Sequence, residues 1–183
     1  SNLNAWGLRG DKSQAAVFSF SPIDGRILVY AGGKDYSKSQ YDRVTQSLRP
    51  SGSAFKPFIY TAAIEKGYSP NDMIDDLPFR AGNWTPKNYG NKYRGPIPLY
   101  TALMVSSNVC TARLMDAIGV RPVIQLARVM GITTPIPYDY TISLGSNSVK
   151  LFEMTRAYGI FANGGFKVEP YAIERVESSR GTV

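Results

Sequence analysis

Histidine is absent from this 183-residue chain, and cysteine occurs once, at Cys110. These absences exclude a Ser-His-Asp triad, a Cys-His pair, a disulfide framework and a zinc site of the usual ligands. No metal and no cofactor is therefore expected, and if the chain catalyses acyl or group transfer, its base must be some other side chain. Cys110 itself lies in the apolar run Val109-Cys110-Thr111-Ala112 and reads as a buried packing residue. Long hydrophobic runs are also missing: no stretch reaches the roughly 18 apolar residues of a membrane-spanning helix. The opening Ser1-Asn2-Leu3-Asn4-Ala5-Trp6 has neither the basic region nor the apolar core of a signal peptide. As a sequence the chain reads as soluble, with any anchor or export signal lying outside it.

Acidic residues are outnumbered, with 14 Asp and Glu against 21 Lys and Arg, a formal charge of +7. Such an excess suits an anionic partner. The basic residues are scattered singly, however, and no basic tract, paired zinc finger or RNA-binding aromatic signature is present, so nucleic acid is not expected. With 43% hydrophobic and 19% charged residues the length suffices for one core, and residues 1–183 are expected to form one domain or part of one.

Residues 14–20 and 26–31 are short β-branched and aromatic runs around the turn sequence Ser21-Pro22-Ile23-Asp24-Gly25, which predicts a β-hairpin. Gly32-Gly33 closes its second strand, and residues 34–49 read as a polar connection. From Ser53 the period changes. Phe55, Phe58, Ile59, Ala62 and Ala63 recur at three and four residues, and Gly67 follows, so an amphipathic helix is predicted from about Ser53. Pro57 fits only in its first turn.

Residues 69–98, rich in Pro, Gly, Asn and Asp, read as a long surface excursion carrying Trp84. Helices are predicted over about 99–105, 109–118, 122–130 and 149–162, the last stopped by Asn163-Gly164-Gly165, followed by a strand over about 168–176. Glu153, on the last helix, reads as a solvated or capping residue. The fold class expected is α+β: helix-rich, with an N-terminal hairpin and a C-terminal strand.

Two serine constellations could carry chemistry. Ser53 and Lys56 are three residues apart at a helix start, which puts a hydroxyl and an amine on one face. The positive end of the helix disfavours an ammonium and favours negative charge developing on oxygen. A neutral Lys56 could then serve as base for Ser53. Ser106-Ser107-Asn108 sits between two predicted helices, where Ser106 could relay a proton to a leaving amine and the Asn108 amide could bond both a lysine and a substrate. Each constellation alone also fits a plain helix N-cap. Their co-occurrence, in a chain without histidine, favours serine–lysine acyl transfer.

S-x-x-K followed by S-x-N is shared by penicillin-binding proteins and class A β-lactamases. Longer blocks sharpen the likeness. Gly32-Gly33-Lys34-Asp35-Tyr36, Gly52-Ser53-Ala54-Phe55-Lys56-Pro57-Phe58, Trp84-Thr85-Pro86-Lys87-Asn88-Tyr89 with Ser106-Ser107-Asn108, and Phe161-Ala162-Asn163-Gly164-Gly165 together resemble the transpeptidase domain of class A, bifunctional penicillin-binding proteins. The resemblance covers nearly everything from about residue 14 to 176. It implies a penicillin-binding-protein and serine-β-lactamase-like fold and D,D-transpeptidation of peptidoglycan stem peptides ending in D-Ala-D-Ala. Ser53 is implied as nucleophile, Lys56 as base, Ser106 and Asn108 as their partners, and the Ser53 N–H as one oxyanion donor. It further implies covalent binding of β-lactams, other cell-wall synthesis proteins as partners, and a place on the outer face of the bacterial cytoplasmic membrane.

The resemblance also sets limits. No Lys-Thr-Gly or Lys-Ser-Gly occurs, and Arg180-Gly181-Thr182 reads as a strand turn. The third motif, the glycosyltransferase domain and the membrane anchor are expected to lie outside this chain. A serine β-lactamase or β-lactam sensor on the same fold, and a non-catalytic cell-wall-binding remnant, are the alternative readings.

Overall fold

The computed structural model describes residues 13–178 and 181–182. The described chain divides into two units, residues 48–149 and the residues on either side of that segment.

In the flanking unit, β1 (Val17–Phe20) and β2 (Ile27–Ala31) form the expected antiparallel hairpin. Its turn closes through Ser21 N–H to Arg26 O at 2.9 Å and Gly25 N–H to Ser21 O at 2.8 Å. Strand alternation turns Phe18 and Phe20 to one face, where they pack with Val44, Ala16, Ile27 and Phe152. The Phe18 and Phe152 rings lie 5.0 Å apart. Phe152 belongs to α5 (Leu151–Ala162), the helix expected there. Glu153 is not solvated: it is buried, 3% exposed, in the first turn of α5, a position that suits the capping alternative because the helix's positive end favours a carboxylate.

The strand predicted over 168–176 does not form. Tyr171 makes a single parallel bridge to Arg26, and the only pairing beyond it among the described residues is the short hairpin of β7 (Glu177–Ser178) and β8 (Gly181–Thr182). β-propensity in that stretch is insufficient without a neighbouring strand to continue the ladder. Arg180 lies outside the described residues.

The 48–149 unit is built around α1 (Lys56–Glu65), entered through a 3-10 turn over Gly52–Phe55. Pro57 is in the first turn and Gly67, at φ +96°, follows the end. The periodicity predicts a one-sided helix, but Lys56, Phe58, Ile59, Tyr60, Ala62 and Ala63 are all buried. Such burial around most of the circumference marks a central helix rather than a surface one. Packed on it are α3 (Asn108–Ile118) and α4 (Val120–Val129), with α2 (Leu99–Met104) alongside. Cys110 is fully buried on α3, as its apolar setting predicts.

The supposed surface excursion has more order than its composition suggests. Its ends pair as β4 (Met73–Asp76) and β5 (Gly95–Pro98), with Asp76 opposite Gly95. Asp76 and Asn88 within it are buried. These two polar side chains are withdrawn from solvent because they serve as hydrogen-bond partners at the start of α3.

The 3-10 turn carrying Ser53 is braced from one side. β3 (Arg49–Pro50) pairs with β6 (Ser148–Val149), and the Gly52 N–H donates to Gly145 O at 3.0 Å. Gly145 has φ +70°, and a Cβ built on it would lie 1.9 Å from the carbonyl oxygen of Gly52. Conformation and contact thus both demand glycine. Gly145→Ala is expected to destabilise the protein by about 2–4 kcal/mol, from overpacking plus a left-handed alanine. Urea unfolding checks this; a loss below about 0.5 kcal/mol would contradict the close approach.

Candidate active site

Ser53 and Lys56 are the second residue of the 3-10 turn and the first of α1. In a 3-10 turn side chains i and i+3 eclipse, so both leave the backbone on the same side. The Lys56 N–H bonds Ser53 O, closing this turn. Ser53 is exposed, while Lys56 is 1% exposed. A hydroxyl open to an incoming acyl group is thereby set one turn from a buried amine.

The amine is fully engaged. Lys56 Nζ donates to the carbonyl oxygen of Ser106 at 2.6 Å, to Ser106 Oγ at 2.9 Å and to Asn108 Oδ1 at 2.8 Å. These three acceptors match the three protons of an ammonium. No carboxylate is among them, so burial is not offset by an opposite charge. Burial pushes the Lys56 pKa down to about 8. At neutral pH the amine is within reach of deprotonation. Once neutral it has two N–H groups and a lone pair; the Ser106 hydroxyl can reverse its bond, and the lone pair becomes available to a proton on Ser53.

Ser106 reaches this position by an unusual backbone. It has φ +54°, one of two non-glycine residues in the left-handed region among the described residues. That conformation costs on the order of 1–2 kcal/mol for a residue with a side chain. It turns both the carbonyl and the hydroxyl of one residue onto the same amine. The turn is held by Ser106 N–H to Leu103 O at 2.9 Å and Ser107 N–H to Ala102 O at 2.9 Å.

Asn108 starts α3, and its amide has no freedom of assignment. Its Nδ2 donates to Lys87 O at 2.9 Å, which leaves Oδ1 for Lys56. Ser107 is the N-cap of α3: its Oγ accepts from Cys110 N–H at 3.1 Å and donates to Asp76 Oδ1 at 2.7 Å. Asn88 Oδ1 accepts from the N–H groups of Asn108 at 2.9 Å and Val109 at 3.1 Å. Burial raises the Asp76 pKa, but hydrogen bonds from Ser107, Asn88 and the Arg94 N–H outweigh it and hold the carboxylate ionised, below its ordinary range.

All four residues expected from sequence, Ser53, Lys56, Ser106 and Asn108, belong to this unit. The last three meet around one nitrogen, with Ser53 one turn away. Asp76 was not signalled by any motif. Asn88 lay in the Trp84–Tyr89 block without an assigned role; the signal for it is an amide in a proline- and glycine-rich stretch that a helix N-terminus could use. Trp84 is half-buried, and its backbone pairs with that of Ala81 across a tight turn. No group of residues suited to hold a metal ion occurs among the described residues.

The sequence matches the family described as penicillin binding protein transpeptidase domain over residues 15–182. It is 38% identical over 174 residues to Penicillin-binding protein 1A of Rickettsia felis, an alignment covering 92% of this chain and 22% of that protein. Against Penicillin-binding protein 1A of Pseudomonas aeruginosa it is 38% identical over 178 residues, covering 93% and 22%. The fold is similar to the crystal structure of Penicillin-Binding Protein 1A from Haemophilus influenzae, with TM-score 0.85 and 34% identity over 93% of this chain and 26% of that one. It is similar also to the PonA1 protein from Mycobacterium tuberculosis in complex with penicillin V, with TM-score 0.87 and 25% identity over 100% of this chain and 53% of that one. The chain spans 22% of the length of the curated relatives named here.

The lowered Lys56 pKa sets a pH dependence. If the neutral amine activates Ser53, acylation of Ser53 by an activated ester should climb about tenfold per pH unit below about pH 8 and level above it. Stability follows the same group: the unfolded lysine keeps its proton to its ordinary value of 10.5, so Lys56's contribution to stability rises between about pH 8 and that value. A stopped-flow pH–rate profile without a rise toward pH 8 would contradict the base role.

Proposed function

Because the chain belongs to the penicillin-binding protein transpeptidase family, we propose that it carries the serine–lysine centre of a peptidoglycan D,D-transpeptidase. The observation that carries this reading is the convergence of the Ser106 carbonyl, Ser106 Oγ and Asn108 Oδ1 on the buried Lys56 amine, one turn from exposed Ser53. The rest of the protein, including a membrane anchor, a glycosyltransferase domain and a Lys-Thr-Gly strand, is proposed to lie outside this chain. No helix among the described residues is long and apolar enough to cross a membrane. The proposed setting is the outer face of the bacterial cytoplasmic membrane, beside other cell-wall synthesis proteins.

In the proposed reaction Ser53 Oγ attacks the carbonyl carbon between the two terminal D-alanines of a stem peptide, and its proton passes to the Lys56 lone pair. The Ser53 N–H, at the start of the helix, is one donor to the developing oxyanion. Collapse breaks the peptide C–N bond, and the departing D-alanine nitrogen takes a proton delivered from Lys56 through the Ser106 hydroxyl. The product is a Ser53 ester. An amine of a neighbouring stem attacks that ester, gives up a proton along the same route, and leaves an amide cross-link with the serine restored. A β-lactam would open its ring on the same serine. Its leaving nitrogen stays tethered, so the ester persists.

Titration of the full-length protein with a fluorescent penicillin tests this. Labelling should be stoichiometric, absent in Ser53→Ala, slowed about 10²–10⁴-fold in Lys56→Ala, and long-lived. Labelling of the Ser53→Ala variant would contradict the nucleophile. Rapid loss of label with release of hydrolysed penicillin would instead favour a β-lactamase. Failure of the unaltered protein to label would favour a non-catalytic cell-wall-binding role.

A further inference from the structure

We infer that Asp76 and Asn88 are positioning residues for this reaction: the buried Asp76 carboxylate fixes which way the Asn88 amide points, and Asn88 fixes the start of α3, so that Asn108 Oδ1 is held on the Lys56 amine. The inference rests on the transpeptidase reading above.

The logic is one of donors and acceptors. Asp76 is fully buried, and an ionised carboxylate can only accept. Asn88 Nδ2 lies 2.6 Å from Asp76 Oδ1 and 2.9 Å from the carbonyl oxygen of Lys92. Both neighbours are pure acceptors, so the nitrogen of that amide must face them. Its oxygen must then face the other way, toward the N–H groups of Asn108 and Val109. Those are orphan donors at the start of α3, without carbonyl partners inside the helix. The amide is thereby used completely, with two protons donated and two lone pairs filled. Turned over, it would aim protons at protons at the start of α3 and put its oxygen against a carboxylate.

Ser107 locks the same corner. A hydroxyl has one proton, and it goes to Asp76 Oδ1 at 2.7 Å rather than to Asn88 Oδ1 at 3.3 Å. The lone pairs of Ser107 Oγ are thus left to receive the Cys110 N–H, which fixes the third of the opening donors of α3. Asp76 is itself fixed from the β4–β5 pair: the Arg94 N–H donates to Asp76 Oδ2 at 3.1 Å, and the Arg94 guanidinium stands 3.7 Å away. The carboxylate therefore ties a strand pair to a helix start. Asn108 is the residue through which that tie reaches the reacting groups: its N–H donates to Asn88 Oδ1 while its own Oδ1 accepts from the Lys56 amine.

A purely structural role would lower stability and acylation alike, whatever stands at position 108. The test is the rate constant for Ser53 acylation by a reporter penicillin, per folded molecule, in the full-length protein carrying Asp76→Asn, Asn108→Ala or both. Asp76→Asn should slow acylation at least roughly tenfold in the otherwise unaltered protein, and less than about twofold where Asn108 is already alanine. An equal effect in both backgrounds, or less than about twofold in the first, would overturn the inference. Should Asp76→Asn not fold, Asn88→Asp carries the test. Two carboxylates at the present 2.6 Å separation must share a proton. Acylation by that variant should then fall as pH rises through loss of the shared proton, where the unaltered protein climbs. A climb in Asn88→Asp like that of the unaltered protein would overturn the inference. Acylation of the unaltered protein separates the two claims: its absence contradicts the transpeptidase reading and this inference together, whereas normal acylation with an uncoupled Asp76→Asn contradicts the inference alone.

Discussion

Burying a primary amine without a counter-charge is costly, and the structure around Lys56 is organised to make that burial possible. Three oxygens from two residues take its three protons, and none of them is ionised. The amine is therefore stabilised enough to be held in place but not enough to remain an obligate cation. A carboxylate in place of Asn108 would pull the lysine back toward its ordinary range and make it unfit for the proposed role of base. The choice of an amide and a hydroxyl as partners is thus the chemical decision on which the centre depends.

Much of the surrounding architecture follows from holding those oxygens still. The left-handed Ser106 aims two of them from one residue, at an energetic cost that the flanking turn offsets with its own hydrogen bonds. The third comes from the first residue of α3, whose N-terminal donors are satisfied by the side chains of Asn88 and the N-cap Ser107. On the other side, the contact between Gly145 and Gly52 braces the 3-10 turn that sets Ser53 one turn before Lys56. The central helix α1 links these two supports, and its burial by α3 and α4 makes it a rigid base. Polar geometry at the surface of the unit is therefore referred to an apolar centre directly beneath it.

The four residues of the candidate centre were legible in the sequence because their proposed chemistry is written in short spacings: a serine and lysine one helical turn apart, and a serine and asparagine at a helix boundary. The absence of histidine made that spacing informative. Helix positions were legible for the same reason, since Pro57, Gly67 and Asn163-Gly164-Gly165 mark ends by local conformation. Asp76 was not legible. Its partners are 12, 18 and 31 residues away, and its neighbourhood, rich in turn-forming residues, resembles solvated loop until β4 and β5 are seen to pair. The stretch 168–176 failed in the opposite sense, because strand propensity is local whereas a strand requires a partner. Glu153 shows the same limit for charge: nothing in its spacing indicates that this one side chain of the first turn of α5 is buried.

The most direct measurement is the titration of Lys56 itself, followed by carbon-13 NMR of lysine labelled next to the amine in the full-length protein, with Lys56→Arg used to assign the signal. A midpoint near 8 is expected, well below the ordinary lysine value. A midpoint at the ordinary lysine value of 10.5 would mean that the buried amine remains a cation at working pH, and would contradict Lys56 as the base.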